Sequence, residues 1–188
     1  MPRRTQMMVI AALLVAGLDG PPAWGQNADY AATVAQWTSY KDVASWLDGN
    51  FIFDQGRQKA VLERLRSQGP EGLLAHGAAT TFVHKSGYCT DAAEFALEAL
   101  RSINSEYNPR YVFINNSNGP ANHWVIGFQM DGKIYIIDYG AGPEWQAMKG
   151  VHGPYDSLDE YKEFLAGLSI RRFRPETVSW RNMPGQLD

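Results

Sequence analysis

Cys89, His123 and Asp138 are the residues of this chain whose types and order suit them to break an acyl bond. A deprotonated thiol attacks a carbonyl carbon. An imidazole takes the thiol proton and returns it to the leaving group, and a carboxylate fixes which imidazole nitrogen is free to do so. Cys89 is the only cysteine, and it follows Gly87-Tyr88. Behind it, Ala92, Phe95, Ala96, Ala99, Leu100 and Ile103 recur at helical spacing. That spacing predicts a buried helix from Thr90 to Ile103, with Thr90 or Asp91 capping its first turn. A thiol where irregular chain becomes a helix N-terminus meets partial positive charge and free N–H groups. Both favour a thiolate and can hold an oxyanion.

The other two residues bracket a hairpin. His123 opens the strand-like run HWVIGFQM, Asp138 closes KIYIID, and Asp131-Gly132 between them is a strong two-residue turn. The turn brings His123 and Asp138 to the same end of the hairpin, within about one pair of register. The carboxylate there can accept the imidazole N–H and leave the second ring nitrogen facing the thiol. Each residue has a plainer reading as well. A lone cysteine is as readily a buried inert thiol, a histidine at a strand start is more often structural, and a carboxylate can simply close a strand. The joint order favours the catalytic reading. His76, His84 and His152 lack a comparable setting, and His84 competes only through its nearness to Cys89 in sequence.

Further elements must position these residues. Residues 27–36 read as a lead-in of helical spacing. Tyr40 to Leu47 reads as a helix ended by Gly49, and residues 50–54 as a short apolar crossing. Arg57 to Arg66 reads as an amphipathic helix presenting Ala60, Val61, Leu62 and Leu65 to the core, broken at Gly69-Pro70. A further turn or two of helix is expected over 71–76, and a loop over 79–87. Arg110 to Asn115 reads as a strand. Ser157-Leu158-Asp159-Glu160 is a capping box opening a helix to about Leu168. A last, Arg-rich strand is expected over 170–173, with an irregular polar tail after Pro175. The class is α+β, with a helical N-terminal half packed on an antiparallel β-sheet.

At 188 residues the chain suits one domain, and its 45% hydrophobic and 20% charged content is that of a folded globule. A net charge of −3 and the lack of a basic stripe speak against nucleic acid as a partner. The cysteine and histidine spacings fit no closed zinc site, no nucleotide-binding glycine loop occurs, and no cofactor is implied. Arg3 and Arg4 precede an apolar run from Met7 to Leu18, and Ala23-Trp24-Gly25 places small residues at the −3 and −1 positions of a cleavage site. Residues 1–25 therefore read as a signal peptide and 26–188 as a single exported domain, periplasmic or secreted. No second apolar segment is of membrane-spanning length. In an oxidising compartment a lone thiol is a liability, which is more easily explained if it has a role.

Gly87-Tyr88-Cys89 before an alanine-rich helix, Asn122-His123-Trp124 opening a strand and Ile136-Ile137-Asp138-Tyr139-Gly140 closing the next resemble the transglutaminase-like superfamily. The likeness is to its bacterial cysteine-protease-like members in particular, and it covers about Tyr40 to Ala141. The resemblance implies a papain-like core. It implies Cys89 as nucleophile, His123 as general base and acid, and Asp138 as the carboxylate that orients His123. The family's His-x-Trp neighbourhood departs here to His123-Trp124. The expected activity is hydrolysis of a peptide or amide bond in a peptide or protein substrate through a thioester. Transamidation by the same triad is an alternative, as is an inactive binding module that keeps the fold. A third possibility is a redox-reactive protein whose exposed Cys89 forms intermolecular disulfides. The backbone N–H of Cys89 is one oxyanion donor. Tyr88, Trp46 and Gln55 are candidates for a second, while Tyr88 and Trp124 can instead wall the cleft.

Overall fold

The computed structural model describes residues 23–119, 121–182 and 186–187, with side chains described over 29–119 and 121–182. Of the expected signal peptide only residues 23–25 fall inside this range. Arg3, Arg4 and the apolar run lie outside the described residues. No helix among the described residues is long and apolar enough to cross a membrane.

The hairpin forms with the boundaries its sequence predicts. Strands β5 (His123–Met130) and β6 (Lys133–Asp138) join through Asp131 and Gly132, whose φ angles of 53° and 72° are both positive, as a tight twist-matched turn requires. Around it a five-stranded antiparallel sheet assembles in the order β7-β6-β5-β4-β8. Its other strands are β4 (Arg110–Asn116), β7 (Gly150–Tyr155) and β8 (Pro175–Arg181). Side-chain alternation sends Tyr111, Ile126, Phe128 and Ile137 to one face. Val112, Ile114, Val125, Ile134 and Ile136 go to the other.

Each face is covered by a helix. On the first lies α5 (Cys89–Ile103), whose Ala92, Ala93, Ala96 and Ala99 are buried and let the backbone approach the sheet closely. Burial of Phe95 and Leu100 in this layer contributes on the order of 2 kcal/mol each. On the second face lies α6 (Leu158–Gly167), which contributes Tyr161 and Leu165. Its first turn starts as the capping box predicts, with Ser157 Oγ accepting the Glu160 N–H. Helices α1 (Ala23–Val34), α2 (Tyr40–Asn50) and α4 (Ala78–His84) back α5, and Trp46 stacks on Phe95 at 4.3 Å between ring centroids. This is the α+β arrangement expected, helices first and antiparallel sheet second.

Several local expectations are corrected. Residues 79–87 are mostly not a loop: they fall in α4 and in strand β3 (Ser86–Gly87), which pairs in parallel with β1 (Ile52–Phe53). Residues 71–76 carry the end of a single 3₁₀ turn and strand β2 (Leu74–Ala75) instead of more α-helix. The Arg-rich strand over 170–173 is absent, because Arg172 adopts a φ of 58° and Ser169 just before it one of 51°, which break an extended run. The last long strand is β8, in the tail expected to be irregular, where it pairs with β4. Helix α3 (Gln55–Gln68) forms, but of its four expected core residues only Val61 is fully buried. Leu62 and Leu65 are half-buried and Ala60 is exposed, because α3 lies on the rim of the molecule.

Candidate active site

The N-terminus of α5 is held by one carboxylate. Asp91, with no exposed side-chain surface, accepts the backbone N–H groups of Tyr88 and His76, each at 2.6 Å. It also takes two bonds from the Arg57 guanidinium, Nε and Nη2 both at 3.1 Å. Leaving either partner of a buried pair like this without the other costs roughly 3–5 kcal/mol. Thr90 adds a bond from its hydroxyl to the Leu74 carbonyl at 3.2 Å. Of the two expected capping residues, Asp91 is thus the one that caps, and Thr90 ties the turn to β2. Two glycines allow the packing. A Cβ on Gly87 would stand 2.6 Å from Asp91 Cβ, and one on Gly140 would stand 2.5 Å from Cys89 Cα. Gly140, just past β6, therefore lets that strand's end press directly on the cysteine.

His123 and Asp138 meet on the sheet face that carries α6. The register pairs Ile126 with Ile137. One step further sets Val125 opposite Asp138, so His123 lies diagonally, two residues along and on the same face. His123 Nε2 donates to Asp138 Oδ2 at 2.7 Å, with both side chains buried. A carboxylate accepts only, so this bond places the proton on Nε2 and leaves Nδ1 as the free nitrogen. Burial alone pulls the imidazolium pKa down. The charge and hydrogen bond of Asp138, followed by hydrogen bonding and charge from Cys89, outweigh it and push the pKa up to about 10. Cys89 thus acts on the ring that Asp138 holds. The thiol itself is buried, with 1% of its surface exposed. Tyr88 beside it has its phenol pKa raised by burial first and by Cys89 next.

A cleft of about 360 Å³ opens against this group, with Phe53, Gln55, Tyr88, His123, Gly140 and Trp145 in its wall. Among the aromatic residues expected at the site, Tyr88 lines the cleft. Trp124 packs instead behind it, against Phe113 at 4.9 Å and the cluster of Val61, Leu73, Tyr88 and Cys89. Trp46 lies in the core against Phe95, away from the cleft, while Gln55 is in its wall. Besides Phe53 in the wall, the sequence reading missed Trp145, which stands edge-on to His123 with centroids 5.6 Å apart. Its only sequence signal is its place in the segment that follows the glycine-rich stop after Asp138.

A family model described as a transglutaminase-like domain matches residues 29–145, more than half of the chain. The chain belongs to the transglutaminase-like family. No curated protein matches it. Transglutaminase-like domains generally include cysteine enzymes, and the match takes in β5, β6 and the whole of α5. In this transglutaminase-like domain, a buried histidine bonded to a carboxylate beside a helix-start cysteine is an arrangement that can move a proton off a thiol and return it to a leaving group.

Proposed function

We propose that the protein is an exported cysteine-dependent acyl-transfer enzyme that hydrolyses a peptide or amide bond of a peptide or protein. Cys89 is the nucleophile, His123 the base and acid, and Asp138 the residue that orients His123. The observation that carries this reading is the His123 ring, bonded through Nε2 to Asp138 at 2.7 Å and acted on by Cys89. With its proton already held on His123 Nδ1, the Cys89 thiolate sulfur bonds the substrate carbonyl carbon. The oxyanion that forms is held by the N–H of Cys89 at the start of α5 and by the side chain of Gln55 in the cleft wall. Collapse of the intermediate breaks the C–N bond, and His123 delivers its proton to the departing amine. A thioester remains on Cys89. Water, deprotonated by His123, attacks it and releases the acid and the thiol. An amine in place of water gives transamidation, and hydrolysis is the default because water is always present. Export follows from the leader-like residues 1–25, with cleavage after Gly25.

One observation favours a second reading, a binding module that keeps the fold without turnover: Cys89 retains only 1% of its surface. The pH dependence of Cys89 alkylation by iodoacetamide separates the two. The enzyme reading expects wild-type labelling to persist well below pH 8.5, and His123→Ala to restore the profile of an ordinary thiol near that value. A wild-type profile already centred near 8.5 and indifferent to His123 sinks the catalytic reading.

A further inference from the structure

Asp138 has two carboxylate oxygens, and the arrangement above uses one. Oδ2 accepts from His123, while Oδ1 is buried with no hydrogen-bond partner. A second orphan lies on the same side of the sheet: the hydroxyl of Tyr161 is also buried and without a partner. Tyr161 is fully buried on α6, in the core layer that Ile136, two residues before Asp138 on the same face, shares with Met148 and Leu165. A buried donor and a buried acceptor left unmade each cost roughly 1–3 kcal/mol, and pairing these two would remove both costs at once. Burial, and after it the charge of Asp138, raises the Tyr161 pKa well above the ordinary phenol value, so the phenol is a donor and lies within the field of that carboxylate.

The other titratable groups around the pair leave the hydroxyl for Asp138. On β7, His152 stacks on the Tyr161 ring and turns Nε2 to the Met148 carbonyl at 2.6 Å. Tyr155 packs on the same ring with centroids 5.6 Å apart. On β5, His123 is already bonded through Oδ2. On β7 the residue directly opposite Asp138 is Gly150, which offers no side chain.

We propose that Tyr161 is a positioning residue: its hydroxyl donates to Asp138 Oδ1, through one buried water or a small shift of α6, and so sets the orientation in which Asp138 holds His123. This rests on the proposed roles of Cys89, His123 and Asp138. It adds a fourth member from α6, a helix beyond the residues that the family match covers.

Tyr161→Phe removes one oxygen and keeps the ring. The test measures Cys89 alkylation by iodoacetamide against pH in wild type, Tyr161→Phe, Asp138→Asn, the double variant and His123→Ala. The far-downfield proton resonance of the His123–Asp138 bond is followed in the first two. The expected result is a roughly tenfold slower His123-dependent labelling in Tyr161→Phe, a displaced downfield resonance, and no added effect of Tyr161→Phe in the Asp138→Asn background. An idle hydroxyl gives the opposite: superimposable profiles, an unmoved resonance and a slightly higher melting temperature, since an unsatisfied buried group has been deleted. That outcome overturns the proposal while leaving the triad standing. A wild-type profile indifferent to His123→Ala instead overturns the triad itself.

Discussion

His123 is buried against a carboxylate on one side and a thiol on the other, and the balance of these neighbours sets its proton affinity. Its pKa is raised to about 10 from the ordinary 6.5, against the pull of burial. The sign follows from linkage. The charged pair with Asp138 contributes fully below the ordinary value and is lost as pH climbs through the folded one. In the proposed mechanism the imidazolium is the acid that releases the amine, so the alkaline limb of kcat/KM belongs near pH 10. Asp138→Asn removes the main upward influence and leaves burial opposed only by Cys89, so the limb moves down, with kcat lowered on the order of 100-fold or more. A limb that stays near pH 10 in this variant disproves the assignment of that proton to His123. Trp145 stands edge-on to the same ring.

At the scale of elements, the site is a meeting of two ends, the N-terminus of α5 and the segment just past β6. Gly140 is the contact that permits it, with no room for a Cβ beside Cys89 Cα. Gly140→Ala is expected to push the end of β6 away from α5, cutting Cys89-dependent activity at least tenfold and destabilising by about 1–3 kcal/mol. Denaturant melts and rates on one preparation check both, and an unchanged rate with unchanged stability would refute the contact. The two elements that matter most were also the most legible. Helix α5 announces itself through a long periodic apolar face, and the β5–β6 hairpin through Asp131-Gly132 between alternating runs. What stayed hidden has physical causes. Strand β7 is interrupted by Gly150, Gly153 and Pro154. Strand β8 is an edge strand that starts on a proline and keeps Glu176 and Thr177 exposed, so it carries little apolar signal. Helix α4 is too short for periodicity to speak. Trp145, Tyr161 and the Arg57–Asp91 pair reach the site only through packing between distant segments, which spacing along the chain cannot reveal.

Among the described residues a third acid is buried besides Asp91 and Asp138: Glu94, in the middle of α5, where it accepts a hydrogen bond from the Tyr111 hydroxyl. Burial raises its pKa to about 7 from 4.5, with Glu98 adding to the rise and Arg101 opposing it. Between those values the folded chain holds a proton that the unfolded chain has released, so stability falls as pH rises through this window. The raised His123 pKa extends the decline on the alkaline side. The fold is therefore expected to be most stable in mildly acid solution. Glu94→Gln should flatten the melting temperature between about pH 5 and pH 6.5 and leave only the His123 decline above it, matching wild type at the acid end and exceeding it at about pH 8. Thermal melts across that range decide it, and parallel curves for the two proteins would show that Glu94 is not the source.

Asp91 has a consequence for timing. Its carboxylate is met by Arg57, 34 positions away, by the backbone of His76, and by Tyr88 next to the cysteine. Contacts of such separation close late in folding, after local helices have formed. Until they close, Cys89 is a thiol on an unanchored segment, with no oriented imidazole and no squared-off helix start. In the proposed enzyme, the activation of Cys89 by His123 is conferred by completion of the fold. A nascent or misfolded copy carries only an ordinary thiol, and on the proposed mechanism the His123-dependent part of Cys89 labelling is a gauge of how many molecules in a preparation have finished folding.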